Sequence, residues 1–425
     1  MSGRAKSITR AVKLGLVDLF FISFGGQAPF ISLLTFGTVM VALVGTQGAL
    51  AMLIATLVAL FNGLVVYFLS RRFRRGGGYY TYALYALTPR LGLNTGWVYL
   101  IYSLSYGGTL LAGGAYTLYV ILGYAMGLQG GWVETAIVFL VSLLAGAVVL
   151  AGIKVSARYA EAMSIAGMIV IVFLAVFFLY ESDWHFYNPF NLSSSGNLTE
   201  AVLFGLGIPT GYGSITPLGG EAKGTDIAKA AVSVLLFGGL LATFFFYGLG
   251  ATGFTGDLLS HVVTSFGVPG LVILSFIAIN DGVLGGMTYI LAGSRTLNAM
   301  SEDRLFPAVL SKKYRGRPII AEAFFAFVFV AALTGLTHAV GIKGAFTFLG
   351  ALAGLYNLFV HMSANASLIR MALKRGSRGS TRSRWGSSNY YQSLGLPQQP
   401  PEPREVRSLL LHGLDNPGLP LRRRA

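Results

Sequence analysis

Two stretches of this chain, each long and apolar enough to cross a bilayer, are interrupted in their middles by glycine and proline. One break lies near Gly25 to Pro29 and the other near Gly205 to Pro217. A segment inside a bilayer must satisfy its own backbone polar groups, because each one left unpaired costs several kcal/mol. Irregular backbone at that depth is tolerated only where protein or an internal cavity surrounds it. Each interrupted segment also opens a set of about five apolar spans, so the breaks fall at corresponding places in two halves. Paired interruptions of this kind point to a ligand site between the repeats of a membrane carrier.

The composition agrees with a membrane setting. Of 425 residues, 54% are hydrophobic and only 11% charged, against roughly 25% charged in soluble chains. Spans are expected at roughly 16–44, 48–70, 95–126, 132–151, 160–180, 200–219, 228–253, 269–294, 319–337 and 343–369. The net charge of +15 raises the question of a nucleic-acid partner, but its distribution answers it. With the N-terminus cytoplasmic, the basic residues cluster on one side: Arg4 to Lys13, Arg71 to Arg75, Lys154, Arg158, Lys223, Lys229 and Arg295 to Arg317. Up to Arg375, Lys343 alone falls on the other side. That is the positive-inside pattern of a multi-pass cell-membrane protein with both termini cytoplasmic, so the expected partner is the lipid bilayer and no nucleic acid.

The domain layout expected is a cytoplasmic N-terminus over 1–15 and a transmembrane domain over 16–370, with repeats at about 16–180 and 200–370. The first span is too long for a cleaved signal core. A proline- and arginine-rich tail over 376–425 reads as disordered, and its abrupt onset as an altered frame or truncation. The outer loop holds two glycosylation-type triplets, at Asn191 and Asn197. Between Arg71 and Gly96, Tyr79, Tyr82 and Tyr85 recur at helical spacing before Pro89, which predicts an amphipathic helix lying on the inner membrane surface.

The first break reads Ser23-Phe24-Gly25-Gly26-Gln27-Ala28-Pro29-Phe30. Glycine permits extended backbone and close approach, and proline suits the first turn of a restarting helix. A half-helix beginning near Gln27 would offer N–H groups and a positive dipole end to a carboxylate. The half ending near Phe24 would offer carbonyls to an ammonium group or a cation. A proline kink with glycine packing is the plainer alternative. The second break holds five glycines or prolines in the nine residues from Gly205 to Gly213, which cannot form a continuous stable helix.

The chain resembles the amino acid–polyamine–organocation permease family on four ordered blocks between about 13 and 370. Gly26-Gln27-Ala28 stands where the family has Gly-x-Gly in span 1. Gly77-Gly78-Tyr79-Tyr80-Thr81-Tyr82, followed by Pro89, is similar to its loop before span 3. Gly211-Tyr212-Gly213 with Glu221-Ala222-Lys223 is similar to its span 6 pattern, and Ser294-Arg295, Met300 to Asp303 and Leu305-Phe306-Pro307 to the end of span 8. The resemblance implies an all-α polytopic fold of about ten helices, the five-plus-five inverted repeat of the leucine transporter with discontinuous helices 1 and 6. It implies a secondary transporter of amino acids working by alternating access, in which spans 1, 2, 6 and 7 move against 3, 4, 5 and 8.

By the same resemblance, the substrate site comprises Ser23, Phe24, Gly25, Gly26, Gln27 and Ala28 of span 1, and Tyr102, Ser103 and Tyr106 of span 3. Phe204, Gly207, Ile208, Thr210, Gly211 and Tyr212 of span 6 and Thr288 of span 8 complete it. The substrate carboxylate is expected on the backbone of Gly26, Gln27 and Ala28, and its ammonium on carbonyls near Phe24, Gly207 and Thr210. Packing is the alternative role for the tyrosines and for Thr288. The chain departs from the family where Ala28-Pro29 thickens the first loop, Gly213 replaces the usual glutamate, and span 5 carries no central lysine. Gly207 also replaces an aromatic residue found in some members, so the occluding ring is expected to be Phe204 or Tyr212. Spans 11 and 12, usual in the family, are not found, which leaves a homodimer without its usual contacts.

Asp281 is the one carboxylate well inside a span, and intramembrane charge defaults to a functional hypothesis. It is the candidate site for a coupling ion, proton or sodium. A place near the outer interface is the alternative. Glu221 is expected to serve as a cytoplasmic gate or loop anchor. No cofactor or metal is expected: there is no cysteine, and the five histidines lack ligand spacing. An enzyme is not expected either, since no nucleophile–base set or phosphate loop is present. Competing readings are a polyamine or organic amine transporter or exchanger, a receptor-like subunit that does not transport, and a truncated product.

Overall fold

The computed structural model describes residues 13–190, 197–254, 256 and 258–382. The N-terminal arm before Lys13, the Asn191 triplet and most of the tail lie outside the described residues. Among these, the only β-structure is two isolated bridges; everything else ordered is helical.

The first span consists of α1 (Leu16–Gly25), α2 (Pro29–Ser32), a π-helical stretch (Leu33–Gly37) and α3 (Thr38–Val44). Gly45, at φ 55°, ends it, and α4 (Gly48–Arg72) returns as the second span. A short helix α5 (Tyr79–Ala86) precedes α6 (Pro89–Met126), α7 (Gly131–Ala151) and α8 (Ile153–Glu181). In the second half, α9 (Leu198–Gly205) leads through an irregular stretch to a 3₁₀ turn (Thr216–Gly220), and α10 (Asp226–Ala251) follows. α11 (Leu258–Glu302) bends at Gly267, and α12 (Ile319–Arg382) is interrupted at Gly341.

Among the described residues, seven helical stretches are long and apolar enough to cross a membrane. Two of them, Leu16–Arg72 and Ile319–Lys374, run to 57 and 56 residues and double back at Gly45 and Gly341. The reversal at Gly341 is visible in side-chain partners. The Ile342 amide donates to Glu134 at the start of α7, and Arg317, beside the start of α12, donates to the Val149 and Leu150 carbonyls at its end. Beyond Gly341 the second limb runs antiparallel to α6, so that Arg370 reaches the Leu87 carbonyl. With the broken segment 198–220, these make ten crossings. The protein is an all-α, multi-pass membrane protein built from two five-span repeats.

Helix contact in a membrane depends on small residues, because lipid is as apolar as leucine. α6 packs intimately on α11 for that reason: a Cβ at Gly114 would lie 3.1 Å from the Gly282 Cα. The broken spans sit together at the centre, where Phe24, Ala28, Phe30 and Ile215 are fully buried.

The helix between spans 2 and 3 does not lie on the membrane surface. In α5, Tyr79, Tyr80 and Tyr82 are all buried, and only Tyr85 is half-buried. Its tyrosines face span 10, span 2 and the end of α11, so the spacing marked a face that meets protein on nearly every side. The last helix continues to Arg382, past the point where the tail was expected to begin.

Candidate functional site

The first break is a tight turn with little open backbone. Gly26 N donates to the Ile22 carbonyl, Gln27 N to Phe24 and Ala28 N to Gly25, all at 3.0 Å. The three N–H groups expected to receive a substrate carboxylate are therefore engaged within the turn. Ala28 has φ 41° and ψ 63°, left-handed backbone that disfavours any side chain. That geometry re-aims the chain so that α2 can restart at Pro29, whose missing N–H is no loss at a first turn.

The N–H groups released by the restart belong to Phe30 and Ile31, and both point at Asp281. Its Oδ2 accepts from Phe30 at 2.7 Å and from Ile31 at 3.0 Å. Asp281 is 2% exposed, so it lies deep inside the protein and not at an outer interface. Beside it, the Tyr159 hydroxyl donates to Asn280 Oδ1 at 2.9 Å. The negative charge meets the positive end of the restarting helix, which favours both.

The second break lies directly against the first. A Cβ at Gly211 would fall 2.7 Å from Gln27 N, so only glycine lets the two backbones meet. Ser23 Oγ donates to the Gly211 carbonyl at 3.1 Å, and the Gln27 amide donates to Pro209 at 3.1 Å. Tyr106 Oη lies 3.0 Å from both the Gly207 and Thr210 carbonyls. Thr288 Oγ1 donates to the Ile22 carbonyl at 3.0 Å, a second bond to an oxygen that already accepts from Gly26 N. Side chains thus tie backbone carbonyls at both breaks.

A small cavity opens beside the second break, with about 230 Å³ of space between atoms and room for about one water molecule. Tyr79, Tyr102, Tyr212, Tyr289 and backbone from Thr210 to Gly213 line it, together with Asn357, Val360 and His361 from the second limb of α12. The Tyr212 hydroxyl lies 3.3 Å from His361 Nε2. Asn357 Oδ1 is buried without a partner.

On the face that carries the basic loops, the site is closed by polar ties. Lys13 donates to the Gly220 carbonyl at 2.8 Å, and Leu14 pairs with Ala222. Arg295 pairs with Glu221 at 2.8 Å and with the fully buried Glu322 at 2.6 Å. Arg75 reaches Asp303 at 2.7 Å and also donates to Tyr85; Tyr80 donates to Asp303 at 2.8 Å. Burial opposes the Arg75 charge, but Asp303 beside it holds its pKa above the usual value. Burial, then the Asp303 charge, push the Tyr80 phenol up, so it remains a donor.

Of the residues expected in the site, Ser23, Gly26, Gln27, Tyr106, Gly207, Thr210 and Gly211 meet at the two breaks, while Tyr102 and Tyr212 line the cavity. Phe24 instead joins a ring cluster with Phe20 and Phe237, 6.1 and 5.7 Å between centroids. Gly25 packs on Leu284, and Ile208 is buried in the apolar cluster around Met40 and Phe246, where Phe204 is partly buried. Ser103 donates back to Tyr99 of its own helix. The ring over Gly207 is Phe36, 3.1 Å from where a Cβ would stand, in place of Phe204 or Tyr212. Asn357 and His361 escaped the sequence reading. Their signal was a pair of polar residues four apart, on one face of an otherwise apolar span.

Two discontinuous helices crossing at the centre of a five-plus-five repeat define a secondary transporter of the leucine-transporter fold. The amino acid permease profile matches residues 18–386, and the chain belongs to the amino acid permease family. Among solved structures, it is similar to a Na⁺-coupled sialic acid symporter in a substrate-bound outward-open state. The identity is 14% and the TM-score 0.56, covering 82% of this chain and 78% of that one. The nucleobase-cation-symport-1 family transporter MHP1, closed around bromovinylhydantoin, matches at 14% identity and TM-score 0.56, covering 96% and 99%. A variant of the Eremococcus coleocola manganese transporter matches at 12% and 0.54, covering 93% and 85%. At these identities the likeness establishes the fold. No curated protein matches the sequence.

Proposed function

We propose that this permease carries an amino acid by alternating access, enclosing the substrate between the breaks of spans 1 and 6. The observation that carries this reading is the backbone meeting at Gly211 and Gln27, tied by Ser23 to Gly211 at 3.1 Å. Moving the two broken spans together against α6 and α11 would part Tyr106 from the Gly207 and Thr210 carbonyls and Thr288 from Ile22, and expose polar backbone to a ligand. The basic face is cytoplasmic, and its ion pairs act as the inner gate. Asp281 takes part in cation coupling: a proton or sodium ion on its carboxylate would weaken its hold on Phe30 and Ile31 and free the start of α2. Uptake of labelled amino acids into proteoliposomes, with and without proton and sodium gradients, tests this. Absence of uptake and exchange for the whole panel would overturn it.

One observation favours a second reading, transport of a carboxylate-free amine. The turn engages the N–H groups of Gly26, Gln27 and Ala28 where a substrate carboxylate was expected, and Asp281 occupies the next two, of Phe30 and Ile31. Competition by simple amines as strong as that by amino acids would support this alternative.

A further inference from the structure

We infer that the cavity beside span 10 is a subsite for a primary ammonium group on the substrate's side chain, making the substrate a diamino acid of the lysine type. This rests on the amino acid reading above and adds a substrate class to it.

Three features carry the inference. First, the cavity is small, with room for about one water molecule, and a primary ammonium is compact where a guanidinium is broad and planar. Second, its polar groups suit a donor. Asn357 Oδ1 is a buried acceptor without a partner, and an ammonium brings three donors and no acceptor. Leaving such an acceptor unmet carries a desolvation cost, which a donating ligand recovers. Third, the walls are aromatic. Tyr79, Tyr102, Tyr212 and Tyr289 surround the space with His361, and no Lys or Arg lines it. Ring faces attract cations, the more so when desolvated.

The cavity is also distinct from the place expected for the α-ammonium. Gly207 and its partner Tyr106 do not line it; Thr210 alone is shared. The cavity adjoins the breaks at Thr210 and Gly211, so the side chain of a substrate held there can enter it.

The test is ligand-induced thermal stabilisation of the purified full-length protein, titrated with L-lysine, L-ornithine, L-norleucine, L-arginine and cadaverine. Lysine or ornithine should bind at least about tenfold more tightly than norleucine, which has no side-chain ammonium. Asn357→Leu should erase that preference, and Asn357→Asp, which keeps the shape and adds charge, should increase it. Equal binding of lysine and norleucine, or tighter binding of arginine, overturns the subsite and leaves amino acid transport standing. Cadaverine binding as tightly as lysine supports the ammonium pocket but overturns recognition of the α-carboxylate. No binding by any amino acid overturns both.

Discussion

Asp281 Oδ2 lies 2.7 Å from the amide nitrogen of Phe30, placing a buried carboxylate of one repeat on the restarting helix of the other. That contact joins span 8 to the second half of span 1 through charge and dipole together, and it invites direct tests.

Asp281→Asn keeps an acceptor for both amides while removing the charge. It should remain folded but lose the dependence of uptake on a proton or sodium gradient. Asp281→Leu strands two buried N–H groups, at about 1–3 kcal/mol each, and should lower the melting temperature markedly. Gradient dependence unchanged in the asparagine variant would remove Asp281 from coupling.

Gly211→Ala introduces a methyl group 2.7 Å from Gln27 N, against backbone that has nowhere to go. Overpacking of this kind costs about 1–3 kcal/mol, and uptake should drop at least tenfold. Gly354, in the second limb of α12, has nothing within 4 Å of its missing Cβ. Gly354→Ala should therefore be neutral or gain roughly 0.5–1 kcal/mol. Equal behaviour of the two variants in a thermal melt would contradict the close crossing.

Ala28→Gly reverses the usual penalty. In a helix the change costs roughly 0.5–1 kcal/mol, but at φ 41° the side chain itself is the strain. Left-handed backbone disfavours an L-residue by roughly 1–2 kcal/mol, so the variant should match or exceed the parent in thermal stability. A clear loss would mean that the turn is not strained.

Arg75→Ala removes the charged partner of buried Asp303, leaving it only the Tyr80 hydroxyl, and the tie from Tyr85 of α5 to the end of α11. The inner side should then open more often. The chain has no cysteine, so Val360→Cys provides a single reporter on the cavity wall. Alkylation by an impermeant reagent from the basic face should be several-fold faster with Arg75→Ala than with Arg75 intact. Equal rates would mean that this ion pair does not gate.

Much of the fold was legible because bilayer burial leaves few ways to place glycine and proline. The breaks at Gly25–Pro29 and Gly205–Pro217, and the basic loops, follow from that constraint alone. The site was less legible because its decisive contacts join residues far apart in sequence. Nothing local to Asp281 says that it faces Phe30, 251 positions away. Tyr79 looked like a membrane-surface residue because a buried helix packed on several sides has the same spacing as one lying on lipid. Asn357 and His361 carried the same polar-in-apolar signal as Asp281, but without formal charge the rule that singled out Asp281 passed them by.

Tyr106, Gln27, Ser23 and Thr288 each donate to a backbone carbonyl at one of the two breaks. An arriving substrate therefore meets incumbents, and its net gain is the difference between two similar sets of hydrogen bonds. Such a difference is small. Weak grip and quick release are what a molecule needs if it must let go of its cargo on the far side within each cycle.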